Sequence, residues 1–391
     1  LDISIIIVNF RVPFFLEQCL SSVEKALATL GNVSSHETIV VDNDPEHVGM
    51  DWLRSRFPQV KFLEHSQNLG FGKACNQGFL LARGDYLLFL NPDCLVPENL
   101  PAYLLDWMRE HPDCGAAGVR MIDGGGRYLP ESRRGFPSPR VSFFRMTGLS
   151  ACFPRSAFFA RYYLGHLPTD KNGETEILSG ACFLATRSAL VQTGGFDEQF
   201  FLYAEDIDLS WRIRQLGLAN HYLASVTVLH FKGESSDRDL QHIRHFYGSM
   251  RQFYQKYYPN SWNHLSGRLI RGAILLSSWI ARAAQIPERW PGKKGPSFPH
   301  PRYFLAGDPQ TCQSMNHMLE LMGKTLADSP ESADQLIYCE GPGFSFRQLI
   351  ETLNIKKLRI PVLVHAAGSR SVAGGRSGAK KGISWALSGP A

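Results

Sequence analysis

The sequence of 391 residues is notable first for what it lacks. None of its eight cysteines forms a Cys-x-x-Cys pair, which removes the usual zinc and dithiol frameworks. No secretory signal precedes them and most lie in apolar runs, so a reducing, cytosolic setting is expected. No run of 18 apolar residues occurs, so no bilayer span is expected, although a membrane can still be touched from one side. Acidic residues are absent from the last 40 positions, where seven basic ones stand. The formal charge of +5 is therefore uneven. Residues 1–262 carry 25 basic and 28 acidic side chains, 263–302 carry seven and one, and 303–351 carry two and seven. With 44% hydrophobic and 20% charged residues, the composition is that of a globular chain of two or three domains; general disorder and collagen-like repetition are excluded.

What is present begins as an α/β pattern. Residues 3–8 form an apolar strand, and Pro13 opens a helix with apolar positions at Leu16, Cys19, Leu20, Val23 and Leu27. Strands follow at 38–41, 60–63 and 86–90, with a helix over 73–83, a recurrence that suits repeated βα units. From 121 to 175 the pattern is lost among Gly124, Gly125, Gly126 and several prolines, and a long irregular stretch is more often functional than idle. Regular structure resumes with a strand at 182–186, a helix over 205–217, a strand at 222–229 and an aromatic helix over 238–258. Four units are expected: a body over 1–262, a basic amphipathic linker over 263–302, a small βαβαβ domain over 303–365 and a flexible basic tail over 366–391.

Several polar residues sit where an α/β sheet places ligands, beyond the carboxyl ends of strands. Asn91-Pro92-Asp93 follows an apolar strand; Asp93 is a candidate ligand for a hard cation, with a plain turn as the alternative. Asp42 ends a second apolar strand, with Asn43 and Asp44 expected as caps or turn formers. The segment 65–78 (HSQNLGFGKACNQG) is neither a dinucleotide fingerprint nor a P-loop, yet Lys73 and a helix start there can hold a diphosphate. Glu205, Asp206 and Asp208 crowd a helix start. Helical spacing puts Asp206 with Leu209 and Ile213, leaning inward as a candidate general base, and leaves Asp208 as a partner of the helix dipole. His230 ends a strand as a candidate metal ligand.

The ordered segments IIIVNF, IVVDND, NLGFGKACNQG, LFLNPDC, LSGACFLATRSAL, GGFDEQFFLYAEDIDLSWRIRQLG and VLHFKGESS resemble the inverting family 2 glycosyltransferases of GT-A fold, most closely a rhamnosyltransferase-like branch, over about residues 1–260. The resemblance implies an α/β GT-A body, a Rossmann-like mixed sheet, with the small domain appended. It implies that Asn9, Asp42, Asn68, Gly70, Lys73, Asn76 and Asn91 meet the nucleotide sugar. It implies that Asp93 and His230 hold Mg²⁺ or Mn²⁺, Asp93 standing alone where relatives carry Asp-x-Asp. Asp206 then aligns with the family's base, and Glu176 and Glu205 are expected near the acceptor. The implied reaction moves a deoxyhexose such as rhamnose, or a hexose, from a nucleotide-diphosphate sugar to a lipid-linked glycan, with inversion.

Three other readings compete with this one. Nucleotidyl transfer needs a basic phosphate grip in the first βα loop, which offers only Arg11. A non-catalytic nucleotide-sugar-binding scaffold needs neither Asp93 nor Asp206. Nucleic acid is not expected as a partner, because the basic excess lies outside the body and follows no reading module. Divided by segment, the charge suits an enzyme held against an anionic cytoplasmic membrane, the inner face of a bacterial plasma membrane.

Overall fold

In the computed structural model of the chain, residues 1–31, 34–232, 240–259, 272, 300–376 and 382–387 are described. Strand β1 (Ile3–Asn9) is buried from end to end, as a β-branched run covered on both faces should be. It pairs in parallel with β2 (His36–Asp42), and β3 (Lys61–Glu64) extends that edge. On its other side lies β4 (Tyr86–Leu90), also parallel. The second half of the sheet is mixed. Strand β10 (Cys182–Thr186) runs antiparallel between β4 and β6 (Cys114–Ile122). Strand β11 (Ala219–His230) follows β6 in parallel, and β5 (Cys94–Leu95) and β8 (Gly173–Thr175) pair antiparallel with it. A separate short ladder joins β7 (Arg133–Arg134) to β9 (Ile177–Leu178).

Helices α1 (Pro13–Ala28), α2 (Met50–Arg56) and α4 (Leu100–Glu110) cover one face of the sheet. The other face is covered by α3 (Phe71–Leu81), α7 (Arg187–Thr193) and α8 (Glu205–Gln215). The stretch over 121–175 contains α5 (Pro139–Met146) and the single turn α6 (Leu149–Cys152), braced from below by α9 (Leu240–Tyr257). All eight cysteines are free and six are buried. Among the described residues no helix is long and apolar enough to cross a membrane. The expected linker lies outside the described residues except at 272 and 300–302.

The small domain is larger than expected. The βαβαβ core is there, as β12 (Arg302–Gly307), α10 (Pro309–Leu321), β13 (Thr325–Leu326), β14 (Gln335–Cys339), α11 (Phe346–Lys356) and β15 (Val362–His365). Two antiparallel strands, β16 (Ser371–Gly375) and β17 (Ile383–Ala386), then complete a six-stranded sheet. The flexible tail read from Gly and Ser content over 366–391 is thus corrected for its described part. Gly374 is where the glycines matter: a Cβ there would stand 2.2 Å from the Val362 carbonyl oxygen.

The two domains share a core. Val12, Phe15, Leu95, Leu229 and Phe231 pack with Leu336, Tyr338, Phe346, Leu353 and Val364. Helix α1 is buried on a second, polar face as well. Gln18 Nε2 donates to Ser369 Oγ and the Ser371 carbonyl, while Gln18 Oε1 accepts from Ala366 N. Glu17 accepts from Arg370 N and Ser371 Oγ, and burial pushes its carboxyl above the usual range. Glu98 of the body accepts from Phe346 N and Arg347 N, capping α11 across the boundary.

Candidate active site

The strand order brings the candidate residues to one edge. Asn9 and Asp42 are register partners at the carboxyl ends of β1 and β2. Strand β10 runs against β4, so the loop before it returns to the same edge, and Asn91 N donates to the Ala181 carbonyl at 2.9 Å. His230, at the end of β11, pairs with Cys94.

At the nucleotide side, Asn9 Nδ2 donates to Asp42 Oδ1 at 2.8 Å, and Asp42 Oδ2 lies 2.6 Å from His47 Nδ1. That contact with Asp42 holds the His47 imidazole above its ordinary range, outweighing a smaller burial effect. Asn43 does more than cap a turn. Its Nδ2 donates to Asn68 Oδ1 and its Oδ1 accepts from Leu69 N, which fastens the 68–70 loop to the end of β2. Gly70, at φ 82°, lies against Phe201, and a Cβ there would come within 2.4 Å of the Phe201 carbonyl oxygen. Lys73, in the first turn of α3, is half-exposed with Nζ 3.9 Å from Glu198. Asn76 is engaged elsewhere: it donates to the Phe196 carbonyl and accepts from Phe196 N, both at 2.9 Å, positioning the loop that leads to α8.

Asp93 and His230 meet as expected. His230 Nε2 is 3.2 Å from Asp93 Oδ1, both side chains are buried, and His230 Nδ1 has no hydrogen-bond partner among the described residues. Cys94 completes a group of three potential ligand atoms within 4.8 Å of one another. Burial holds its thiol well above the ordinary range. A carboxylate and an imidazole brought together in this way are a donor set that would suit a divalent cation.

The acidic helix start differs from the helical-wheel reading. Asp208, not Asp206, is the fully buried one. It accepts from Arg212 Nε, Lys256 Nζ and the Tyr257 hydroxyl and is a structural hub tying α8 to α9. Asp206 stands at the rim, its side chain 13% exposed. Its Oδ2 accepts from Arg134 Nη2 at 2.5 Å and Gly180 N at 3.0 Å, and its Oδ1 from Ile207 N at 2.8 Å. Since a carboxylate offers about four lone-pair sites, one remains for an incoming hydroxyl. Burial draws the Arg134 guanidinium down, but Asp206 and Tyr162 together, through charge and hydrogen bonds, more than reverse this. Tyr203 and Ala204, at φ 69° and 70°, form the left-handed step that sets α8 at this angle, a strain found where a site is being positioned.

Glu205 faces α3 and is buried beside Gly72 and Cys75. Burial, with Asp206 adjacent, pushes its carboxyl up to about 8, so it is a protonated donor near neutral pH. Glu176 accepts from Phe136 N and, at 2.7 Å, from Arg161. Both acceptor-side expectations therefore fall on residues already bonded or buried. Glu176 lines a cavity of about 220 Å³ with Phe136, Ser138, Arg140, Arg161 and Trp211. The Trp211 ring stacks on Phe136 at 4.0 Å. Arg134, Asn43 and His47 were not legible as site residues, because the contacts that give them their roles span 72, 25 and five residues.

Glycosyl transferase family 2 matches the chain over residues 4–192. An N-acetylglucosaminyl-diphospho-decaprenol L-rhamnosyltransferase of Mycobacterium tuberculosis is 29% identical over 288 residues, 71% of this chain and 91% of the relative. A poly-beta-1,6-N-acetyl-D-glucosamine synthase of Staphylococcus aureus is 25% identical over 215 residues, 53% of this chain and 47% of the relative. A mannosyltransferase from Pyrobaculum calidifontis, solved with GDP-Man and Mn²⁺, covers 72% of this chain at TM-score 0.45 and 16% identity. The mixed sheet, parallel through β3, β2, β1 and β4 and mixed beyond β4, is the α/β architecture expected of the body. The family match and the rhamnosyltransferase relative together support a family 2 glycosyltransferase of rhamnosyltransferase-like kind.

Proposed function

We propose that the chain transfers a deoxyhexose such as rhamnose, or a hexose, from a nucleotide-diphosphate sugar to a hydroxyl of a lipid-linked glycan, inverting the anomeric centre. The observation that carries this reading is that the rim carboxylate Asp206 is bonded to Gly180 N, while the next residue, Ala181, accepts from Asn91 N two residues before the Asp93 of the buried Asp93–His230 pair. The rhamnosyltransferase relative supports a deoxyhexose donor and a polyprenyl-diphosphate acceptor.

Each group then has a task. Asp42, held by Asn9 and His47, meets the nucleoside; Lys73, half-exposed in the first turn of α3, meets the diphosphate. Asp93 and His230 would hold the divalent cation, which would supply positive charge to the departing nucleoside diphosphate. Asp206, fixed by Arg134 and Gly180, takes the proton of the acceptor hydroxyl as that oxygen attacks the anomeric carbon from the side opposite the leaving group. The hydroxyl's O–H bond breaks, its oxygen bonds the sugar, and the nucleoside diphosphate leaves with the electron pair of the old bond. The cavity lined by Trp211 and Phe136 offers aromatic faces to the acceptor sugar. The acceptor's lipid anchor and the basic, acid-poor segments support work at the inner face of a bacterial plasma membrane.

The test is transfer from a panel of nucleotide sugars with Mn²⁺ to a short-chain lipid-diphosphate-sugar, with the product anomer read by NMR. An inverted product is expected. A retained configuration, or no product with any donor, would overturn the reading.

A further inference from the structure

The stretch from 132 to 169 contains no acidic residue, while it holds six arginines and eight Phe or Tyr. In the fold it becomes a lobe with two different sides. Its inner side carries Arg134 to Asp206, presents Phe136 and Ser138 to the cavity, and is anchored to α9 by the Tyr254–Ser142 hydrogen bond and by Phe253 against Phe136 at 5.2 Å. Its outer side is apolar and open. Phe143, Phe153 and Phe158 are 56%, 51% and 49% exposed, and they join Phe144 and Phe159 in one cluster with ring centroids 4.9–6.0 Å apart. Arg140, Arg145 and Arg155 are exposed around it, with the Arg140 guanidinium 4.7 Å over the Phe158 ring.

A soluble chain gains nothing by exposing three phenylalanines within 16 residues, and contiguous apolar surface of this kind marks a contact site. The chemistry of its rim selects the contact. Aromatic rings edged by arginine and free of carboxylates match the interface of a bilayer, where rings enter the headgroup level and cations meet lipid phosphates.

We propose that the outer face of the 139–160 lobe docks on an anionic lipid surface through Phe143, Phe153 and Phe158. The inference rests on the lipid-linked acceptor proposed above and extends it. The same lobe that lines the acceptor cavity on one side meets, on the other, the membrane in which the acceptor's lipid lies. Neither the basic linker nor the acid-free carboxyl terminus is needed for this contact.

Cys152, the one fully exposed cysteine among the described residues, lies in the lobe and allows a local readout. The full chain is labelled there with a polarity-sensitive maleimide dye, with Cys152→Ser as the blank. It is mixed with vesicles of phosphatidylglycerol and phosphatidylethanolamine or of phosphatidylcholine alone. A blue shift and quenching by brominated lipid are expected with the anionic vesicles only. The triple variant Phe143→Ser, Phe153→Ser, Phe158→Ser should keep its unfolding temperature and its transfer to a water-soluble acceptor, yet lose about tenfold or more in vesicle partition. Flotation with unshifted Cys152 emission, which would place the membrane contact elsewhere, overturns the proposal. So does undiminished partition of the triple variant, or capture of a protein partner by the lobe without vesicle binding. Absence of transfer by the wild type, with the blue shift intact, would remove the proposed reaction while leaving the docking surface standing.

Discussion

Two glycines with nearly the same φ and different surroundings allow the joint between the domains to be weighed. Gly126 and Gly148 have φ of 78° and 79°; a Cβ at Gly148 meets nothing within 4 Å, whereas one at Gly126 would lie 1.9 Å from the Leu353 carbonyl oxygen of α11. Alanine at either site adopts a left-handed conformation at a cost of about 1–2 kcal/mol, partly offset by about 0.4–1 kcal/mol from a stiffer unfolded chain. Gly148→Ala should therefore destabilise by roughly 0–1.5 kcal/mol. Gly126→Ala adds a clash with backbone that no rotamer relieves, a further ~1–3 kcal/mol of the kind seen on overpacking. Urea unfolding at 25 °C should show that difference between the two variants. Because Leu353 shares a core with Phe231, the residue after His230, Gly126→Ala should also weaken Mn²⁺-dependent donor binding. Variants of equal stability, within about 0.5 kcal/mol, would refute the close packing of the small domain on the Gly124–Gly126 turn.

Other outcomes follow from the site. Asp93→Ala should remove the Mn²⁺-dependent part of nucleotide-sugar binding in calorimetry, leaving any metal-independent binding in place; an unchanged Mn²⁺ dependence would take Asp93 out of the metal site. Glu205 titrates above its unfolded value of 4.5, at about 8. The stability it contributes is full below pH 4.5 and lost as pH rises through 8. Relative to Glu205→Gln, the wild type should lose thermal stability progressively between those limits, and parallel melting-temperature profiles would count against a buried, protonated Glu205.

The α/β body was legible because its central strands are distinct apolar runs between turns; the boundaries of β4 and β10 coincide with those runs. Asp93 and His230 were legible because strand ends in such a sheet face a common crevice. What one-dimensional periodicity misses is a second partner for the same element. Helix α1 reads as a one-faced helix, yet Glu17, Gln18, Ser21 and Ser22 are also buried, with Glu17 and Gln18 bonded to the β16 segment. The Gly and Ser residues after Ala366 read as a tail, but small residues there admit backbone-to-backbone packing, Gly375 against Gly124 among them. The relation of Asp206 to Asp208 was inverted for the same reason. A helical wheel names one inward face, whereas α8 is covered both by the sheet and by α9, whose Lys256 and Tyr257 enclose Asp208.

The central claim is that Asp206 accepts the proton of the attacking hydroxyl. Asp206→Asn keeps the shape of the side chain and removes its charge, so the decisive measurement is kcat for transfer alongside the Kd for the nucleotide sugar, on protein shown by its melting curve to be folded. Turnover is expected to fall by about 10²–10⁴-fold, the usual contribution of a general base, while the donor Kd stays within about threefold. Substantial turnover by Asp206→Asn, or a loss confined to donor affinity, would contradict the account.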